Sequence, residues 1–307
     1  MIERMKQTDI AIQIERILEL KKENNAIILV HNYQDPEIYK IGDFIGDSLE
    51  LSRKAMDVEE EVIIFCGVKF MAETAKILNP SKRVILPNLE AGCSMADMSD
   101  VPGLMKLKAE HPNAGVVCYI NTNADVKAES DIICTSANAI KMVESLPNEE
   151  IIFLPDKNMA AYLQTKTKKK IIPYEAYCYI HNALDGDMLR DFKSRYPKAE
   201  VISHPESPPD VLALSEHVRG TSGMIKAAIE SDAKEFIMVT ECGMAQKLRD
   251  DVPNKIFHSF CNICSYMKMT NLFLVERALT KMQYEIFVPE DVAAKAKIAI
   301  DRMLKLS

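Results

Sequence analysis

Three stretches of this chain begin alike and then stay in step, and no other feature restricts its fold as much. The third copy opens on Ala199-Glu-Val-Ile-Ser-His204-Pro-Glu206, a short apolar run closing on polar groups. Thr221 follows seventeen residues past His204, Met244-Ala245 forty past it and Cys264 sixty past it. The first copy, Ala26-Ile-Ile-Leu-Val-His31-Asn-Tyr33, has Ser48 and Met71-Ala72 at those two intervals and Cys93 sixty-two residues past His31. The second, Ala114-Gly-Val-Val-Cys-Tyr119-Ile-Asn121, has Ser136 and Met159-Ala160 in step and Cys178 fifty-nine residues past Tyr119. The period is 88 residues and then 85. That is too long for a solenoid unit, so each copy is a small domain. Three near-copies, each supplying one cysteine and matched polar groups, predict a pseudo-threefold protein with a shared central site.

Within each copy, strands and helices alternate. Ala26 to Val30, Glu61 to Phe65 and Arg83 to Leu86 read as strands in the first copy. Their continuous apolar character suits parallel strands covered on both faces. Helices are expected from Ser48, with Asp47 or Ser48 as N-cap, and over Phe70 to Leu78. The second copy repeats the order with a helix opening at Ser136, and the third with helices after Thr221 and from Met244. Residues 9 to 22 place Ile10, Ile14, Ile17 and Leu18 on one helical face behind a Thr8 or Asp9 cap. A closing helix starts at Pro289 with Val292, Ala296, Ile300 and Met303 on one face. The fold class is therefore α/β, with three three-layer α/β/α domains built on small parallel sheets. The boundaries expected are 1–92, 93–177 and 178–288, with the C-terminal helix 289–307 assigned to the first repeat.

Composition narrows the function. A net charge of −7 and a pI near 5.5 argue against a nucleic-acid surface, which needs a basic footprint. No apolar run approaches the roughly 18 residues of a membrane span, and the start, Met1 to Lys6, lacks a leader's apolar segment. The cytoplasm is the expected compartment. Eight cysteines in such a chain point to metal binding or buried thiols more than to disulfides. Cys66, Cys118, Cys134 and Cys242 lie in or beside apolar runs and read as small buried hydrophobes. Cys93, Cys178 and Cys264 instead follow strands, one per copy.

Ligands of parallel α/β units gather outside the carboxyl ends of the strands. His31, Tyr33, Tyr119, Asn121, His204 and Glu206 fall there. Ser48, Ser136 and Thr221 place a hydroxyl at each following helix start, where unsatisfied N–H groups favour an anion. A His and a Glu two apart on a strand share one side and suit acid–base work. His181, three residues past Cys178, reads as a ligand neighbour or an acid, whereas His111 and His217 read as structural. Three thiolates without a matching fourth suit a soft metal centre: a four-iron, four-sulfur cluster with one open iron, or a zinc ion with a water. Cys261, three residues before Cys264, is a spare thiol or a redox partner of that neighbour.

These residues resemble the quinolinate synthase family. The resemblance rests on His31-Asn-Tyr-Gln34, Gly46-Asp-Ser-Leu49, Gly92-Cys93-x-Met95-Ala96 and Cys134-Thr-Ser-Ala-Asn138. It continues through Cys178-x-x-His181, His204-Pro-Glu206, Gly220-Thr-Ser-Gly223, Glu241-x-Gly-Met244 and Cys264-x-x-Met267-Lys268. It implies an enzyme of NAD biosynthesis that condenses iminoaspartate with dihydroxyacetone phosphate, giving quinolinate, phosphate and two waters. It further implies one [4Fe–4S] cluster held by Cys93, Cys178 and Cys264, whose open iron acts as a Lewis acid. Ser48, Ser136 and Thr221 would anchor phosphate and carboxylate groups. His31, Tyr33, Tyr119, Asn121, His181, His204 and Glu206 match pocket residues, with Glu206, His204 and Tyr33 moving protons. An aspartate oxidase or aspartate dehydrogenase is a suggested source of the short-lived iminoaspartate. Two positions depart from the family: Thr221-Ser222 stands in reversed order, and Cys242 follows Glu241 where an aliphatic residue is expected. The readings that compete are an iron–sulfur or zinc hydro-lyase on another small acid, and a non-enzymatic iron–sulfur sensor.

Overall fold

The chain, seen here in a computed structural model, is described over residues 2–307, with side chains from Asp9 onward. The expectation about a leader at Met1 to Lys6 therefore falls outside the described side chains. Twelve strands among the described residues form three four-stranded sheets, parallel throughout. The first holds β1 (Ala26–His31), β2 (Phe44–Gly46), β3 (Val62–Cys66) and β4 (Arg83–Ile85). The second holds β5 (Gly115–Tyr119), β6 (Ile132–Cys134), β7 (Glu150–Leu154) and β8 (Lys170–Pro173). The third holds β9 (Glu200–Ser203), β10 (His217–Val218), β11 (Glu235–Val239) and β12 (Ile256–Ser259). Their orders, β2-β1-β3-β4, β6-β5-β7-β8 and β10-β9-β11-β12, are one topology three times over. In each, the chain goes from the opening strand to a short edge strand and then crosses to the other side. This creates a switch point beyond the carboxyl end of the opening strand, where such sheets bind ligands.

One sequence device pins each edge strand. Asp43, Asp131 and Glu216 lie 88 and 85 residues apart. Their carboxylates accept the N–H of Ile28, Val116 and Val201 at 2.8, 2.8 and 2.7 Å. The short strands β2, β6 and β10 were not foreseen, because two or three residues are too few to show a period.

Two compact units divide the chain: Met1–Gly92 with Ser265–Val288, and Cys93–Cys264 with Pro289–Ser307. In the first, Ala26, Ile28 and Val30 of β1 and Val62, Ile64 and Cys66 of β3 face one way into a core. Ile17 and Leu20 of the helix Ile2–Glu23, and Leu272, Val275, Ala278 and Leu279 of the helix Leu272–Lys281, close over them. Each such fully buried aliphatic side chain contributes about 1.5–3 kcal/mol. The first helix runs straight through Thr8 and Asp9, so neither caps it. Asp47 caps the helix Ser48–Met56 with a reciprocal capping box to Glu50.

The second unit carries the other two sheets. Its third-repeat core joins Val201, Ile237 and Val239 to Leu184, Leu189 and Val211. Two expectations are corrected here. The closing helix Glu290–Leu306 packs on β6 and the helix Ala124–Ala128 of the second repeat, not on the first. Its Ala296, Ala299, Ile300 and Met303 are the buried face. Conversely, Ser265–Val288, expected in the third repeat, belongs with the first sheet. No helix of the described residues is long and apolar enough to cross a membrane.

Candidate active site

In the second unit, Tyr119 ends β5 and His204 follows β9, so both stand at carboxyl ends of opening strands. Glu206 lies between them and is 3% exposed. The Tyr119 hydroxyl donates to Glu206 Oε1 at 2.7 Å. His181 Nδ1 lies 2.8 Å from Glu206 Oε2 and 3.3 Å from Cys178 Sγ. On its other side, His181 Nε2 lies 3.0 Å from the buried Thr240 hydroxyl. The imidazole of His204 stacks on that of His181 at 4.7 Å, and its Nδ1 is 3.7 Å from Glu206 Oε2. Asn158 Nδ2 donates to the Glu206 carbonyl at 3.0 Å, fixing the backbone beneath.

Burial would raise Glu206, but His204, His181 and the hydrogen bonds from His181 and Tyr119 outweigh it and hold the carboxyl at about 2. Burial pushes His204 down to about 4.

The three predicted cysteine ligands all belong to this unit. Burial raises Cys93 to about 12, and the charges of Glu206 and Cys264 add to the rise. Burial likewise raises Cys178, with Glu206 and then Cys93 adding to it. Cys93 thus lies within electrostatic reach of both Cys264 and Cys178. Yet among the described residues the one group of such donors whose atoms all lie within 4.8 Å is Cys178, His181 and Glu206. The 2.8 Å contact inside that compact group is a hydrogen bond, with a proton between nitrogen and oxygen.

The anion positions behave differently from one another. Thr221 is the first residue of the helix Thr221–Glu230, behind an N-cap at Gly220. Ser136 does not open a helix as expected, because the helix begins at Ala139 and Ser136 sits in the turn before it. That turn brings its hydroxyl to the other helix: a Cβ on Gly220 would meet Ser136 Oγ at 2.3 Å. Two predicted anchors from different repeats therefore converge at one helix N-terminus. Asn121 lies half-buried two residues past Tyr119.

His31, Tyr33 and Ser48 lie in the first unit, at the carboxyl edge of its own sheet. There the Tyr33 N–H donates to His31 Nδ1 at 3.2 Å, as the Glu206 N–H does to His204 Nδ1 at 3.4 Å. The strand-end turn is thus itself repeated. Lys268 Nζ donates to the Tyr33 carbonyl at 2.6 Å.

Cys66, Cys118 and Cys134 are buried as expected. Cys242 is not a buried hydrophobe: it forms a disulfide with Cys261, Cα to Cα 5.1 Å. Cys261 is therefore paired with Cys242 and not with its neighbour Cys264. Sequence reasoning also missed Asp156, Thr240 and Lys127, and gave Glu241 no role beyond its place in a motif. Lys127, fully buried, donates to the Thr122 carbonyl in the loop after Tyr119. Asp156 and Glu241 stand three residues before Met159 and Met244, and the repeat offset was the signal that could have found them.

The family model described as quinolinate synthetase A protein matches residues 15–305. Among curated relatives, Quinolinate synthase 1 of Methanosarcina acetivorans is 49% identical over 302 residues, covering 98% of each chain. Quinolinate synthase of Methanosarcina barkeri is 50% identical over 293 residues, 95% of this chain and 96% of its own. Quinolinate synthase of Dehalococcoides mccartyi is 49% identical over 294 residues, 95% and 97% respectively.

Proposed function

Because this chain belongs to the quinolinate synthetase A family, we infer that it is an enzyme condensing iminoaspartate with dihydroxyacetone phosphate to quinolinate, phosphate and two waters. We assign Cys93, Cys178 and Cys264 to a [4Fe–4S] cluster. All three cysteines lie in the second unit, with Cys93 in electrostatic reach of Cys264 and of Cys178. An all-thiolate donor set of this kind, one cysteine per repeat, suits an iron–sulfur cluster. When bound, such a cluster supplies an open iron that acts as a Lewis acid on a substrate oxygen.

The observation that carries the reading is the Tyr119–Glu206–His181 chain ending against Cys178. It puts a charged carboxylate, with a phenol and two imidazoles, beside a cysteine assigned to the cluster. As held here, Glu206 is a weak base. A substrate that takes over the Tyr119 hydroxyl removes one hydrogen bond and raises Glu206 toward the range where proton transfer is efficient. His204, neutral and 3.7 Å away, is placed to take and return the proton. Tyr33 enters this role through the family resemblance, as do His31, Asn121 and Ser48 for substrate contact. Ser136 and the helix start at Thr221 supply the donors for a phosphate or carboxylate.

The test is anaerobic purification with iron and sulfide counted per chain. About four of each, with quinolinate formed from dihydroxyacetone phosphate and fresh iminoaspartate, is the expected result. One zinc without sulfide would overturn the cluster assignment. Turnover of a simple hydroxy acid, with none of iminoaspartate, would overturn the condensation.

A further inference from the structure

The helices that follow β3, β7 and β11, Lys69–Leu78, Lys157–Gln164 and Cys242–Asp251, are each tied to the cysteine-bearing loop of their repeat by one repeated hydrogen bond. The N–H of the helix's first residue donates to the carbonyl of a residue two before the cysteine. Lys69 donates to Ala91 at 2.8 Å, Lys157 to Ala176 at 2.8 Å and Cys242 to Asn262 at 3.1 Å. What differs is the N-cap just before that first residue: Val68, Asp156 and Glu241, spaced 88 and 85 residues apart.

In the second and third repeats the N-cap carboxylate does two things. Asp156 Oδ1 accepts the Met159 N–H of its own helix at 2.7 Å, and Oδ2 accepts the Cys178 N–H at 3.1 Å. Glu241 Oε2 accepts the Gly243 N–H at 2.6 Å, and Oε1 accepts the Cys264 N–H at 3.3 Å. Both carboxylates are fully buried. Each cysteine backbone is thus clamped to the cap of a helix seated on its own sheet. Val68 has no side-chain acceptor to offer at the matching place.

We propose that Asp156 and Glu241 are positioning residues that hold Cys178 and Cys264 in register for the inorganic group, each acting on its own cysteine. The proposal rests on the assignment of those cysteines as ligands. The physical basis is that two N–H donors face the two oxygens of one carboxylate. A carboxamide of the same shape presents an N–H₂ to one of them, so one bond is replaced by a donor–donor clash. Asp156→Asn and Glu241→Gln therefore change the clamp without opening a cavity.

The experiment uses the cluster-loaded enzyme, anaerobically. A ferrous chelator is added, loss of the cluster absorption is timed, and exposed thiols are then alkylated and mapped by mass spectrometry. The spectrum of the reduced cluster is recorded before the chelator is added. Expected are at least a tenfold faster loss in each variant, an altered reduced-cluster spectrum, and faster alkylation of Cys178 alone in Asp156→Asn and of Cys264 alone in Glu241→Gln. Asp156→Glu, which keeps two acceptors, should recover most of the retention. Loss rates within twofold of the parent would overturn the proposal, as would equal loosening of all three cysteines. If one of the two carboxamide variants fails to fold, the other decides, since each clamp acts on its own cysteine. A parent that carries no iron or sulfide would instead defeat the ligand assignment itself, a separate result.

Discussion

The Tyr119 hydroxyl donates to Glu206 Oε1 at 2.7 Å, joining the end of β5 in the second repeat to the turn after β9 in the third. The contact is buried at both ends, with Tyr119 4% and Glu206 3% exposed. A hydrogen bond to a charged group in such surroundings contributes about 1.5–3 kcal/mol. Tyr119→Phe keeps the ring and removes only the donor, so its quinolinate-forming rate should fall about 10- to 100-fold with the fold intact. Glu206→Gln removes the proton acceptor and should cost about 10²- to 10⁴-fold. Iron and sulfide content should stay unchanged in both. Steady-state kinetics beside an iron assay separates loss of chemistry from loss of the metal group.

Stability should fall on the acid side of neutrality because of His204. Burial holds its imidazole at about 4 against an ordinary value of 6.5. Between those two values the unfolded chain binds a proton that the folded chain does not. Folding is therefore fully favoured by this group above pH 6.5 and progressively less so down to pH 4. The slope should approach about 1.4 kcal/mol per pH unit. Urea unfolding of parent and His204→Gln at several pH values within that window checks it. The variant should show a flatter dependence.

Gly220→Ala should damage anion binding more than folding. The added Cβ would meet Ser136 Oγ at 2.3 Å, so the hydroxyl must swing away from the helix start. Losing one donor of about 1–1.5 kcal/mol raises the apparent KM for the proposed phosphate-bearing substrate about tenfold. Adding Ser136→Ala removes the 2.3 Å clash and leaves a 3.1 Å approach between Cβ atoms, but it does not bring back the hydroxyl. The double variant should therefore melt like the parent while its KM stays high.

Thiol counting tests the Cys242–Cys261 pairing. Denatured, metal-stripped chain kept away from reductant should take up six alkyl groups, and eight after reduction. The two extra labels should map to Cys242 and Cys261. Labels on Cys261 and Cys264 would instead mean the neighbouring pair is the oxidised one.

Much of this molecule was legible before any coordinates. The opening strands read correctly because they are buried on both faces and hence continuously apolar, as Ala26 to Val30 shows. Tyr119, His204 and Glu206 stand out in the sequence because the repeat puts them at matched strand ends, and in the structure Tyr119 and Glu206 meet there, with His204 3.7 Å from Glu206. Other features were hidden for identifiable reasons. β10 is two residues long. Ser136 lies in a turn that looks helical only by analogy with Ser48. Cys242 and Cys261 are 19 residues apart, so their pairing depends on a 5.1 Å approach that spacing does not encode.

The sequence by itself determined the threefold α/β plan, the residues at the carboxyl ends of the strands and one cysteine per repeat. These follow from periodicity, which is local and survives in one dimension. Tertiary structure alone decided which repeat the helix Glu290–Leu306 covers, which cysteine Cys261 meets, and that Ser136 reaches Gly220. It also decided that Asp156 and Glu241 turn from helix caps toward the cysteine backbones. Each of those is a contact between elements distant along the chain, set by packing and by the need to satisfy buried N–H groups; a repeat offset can mark such a residue, as it does Asp156 and Glu241, but does not name the partner it meets.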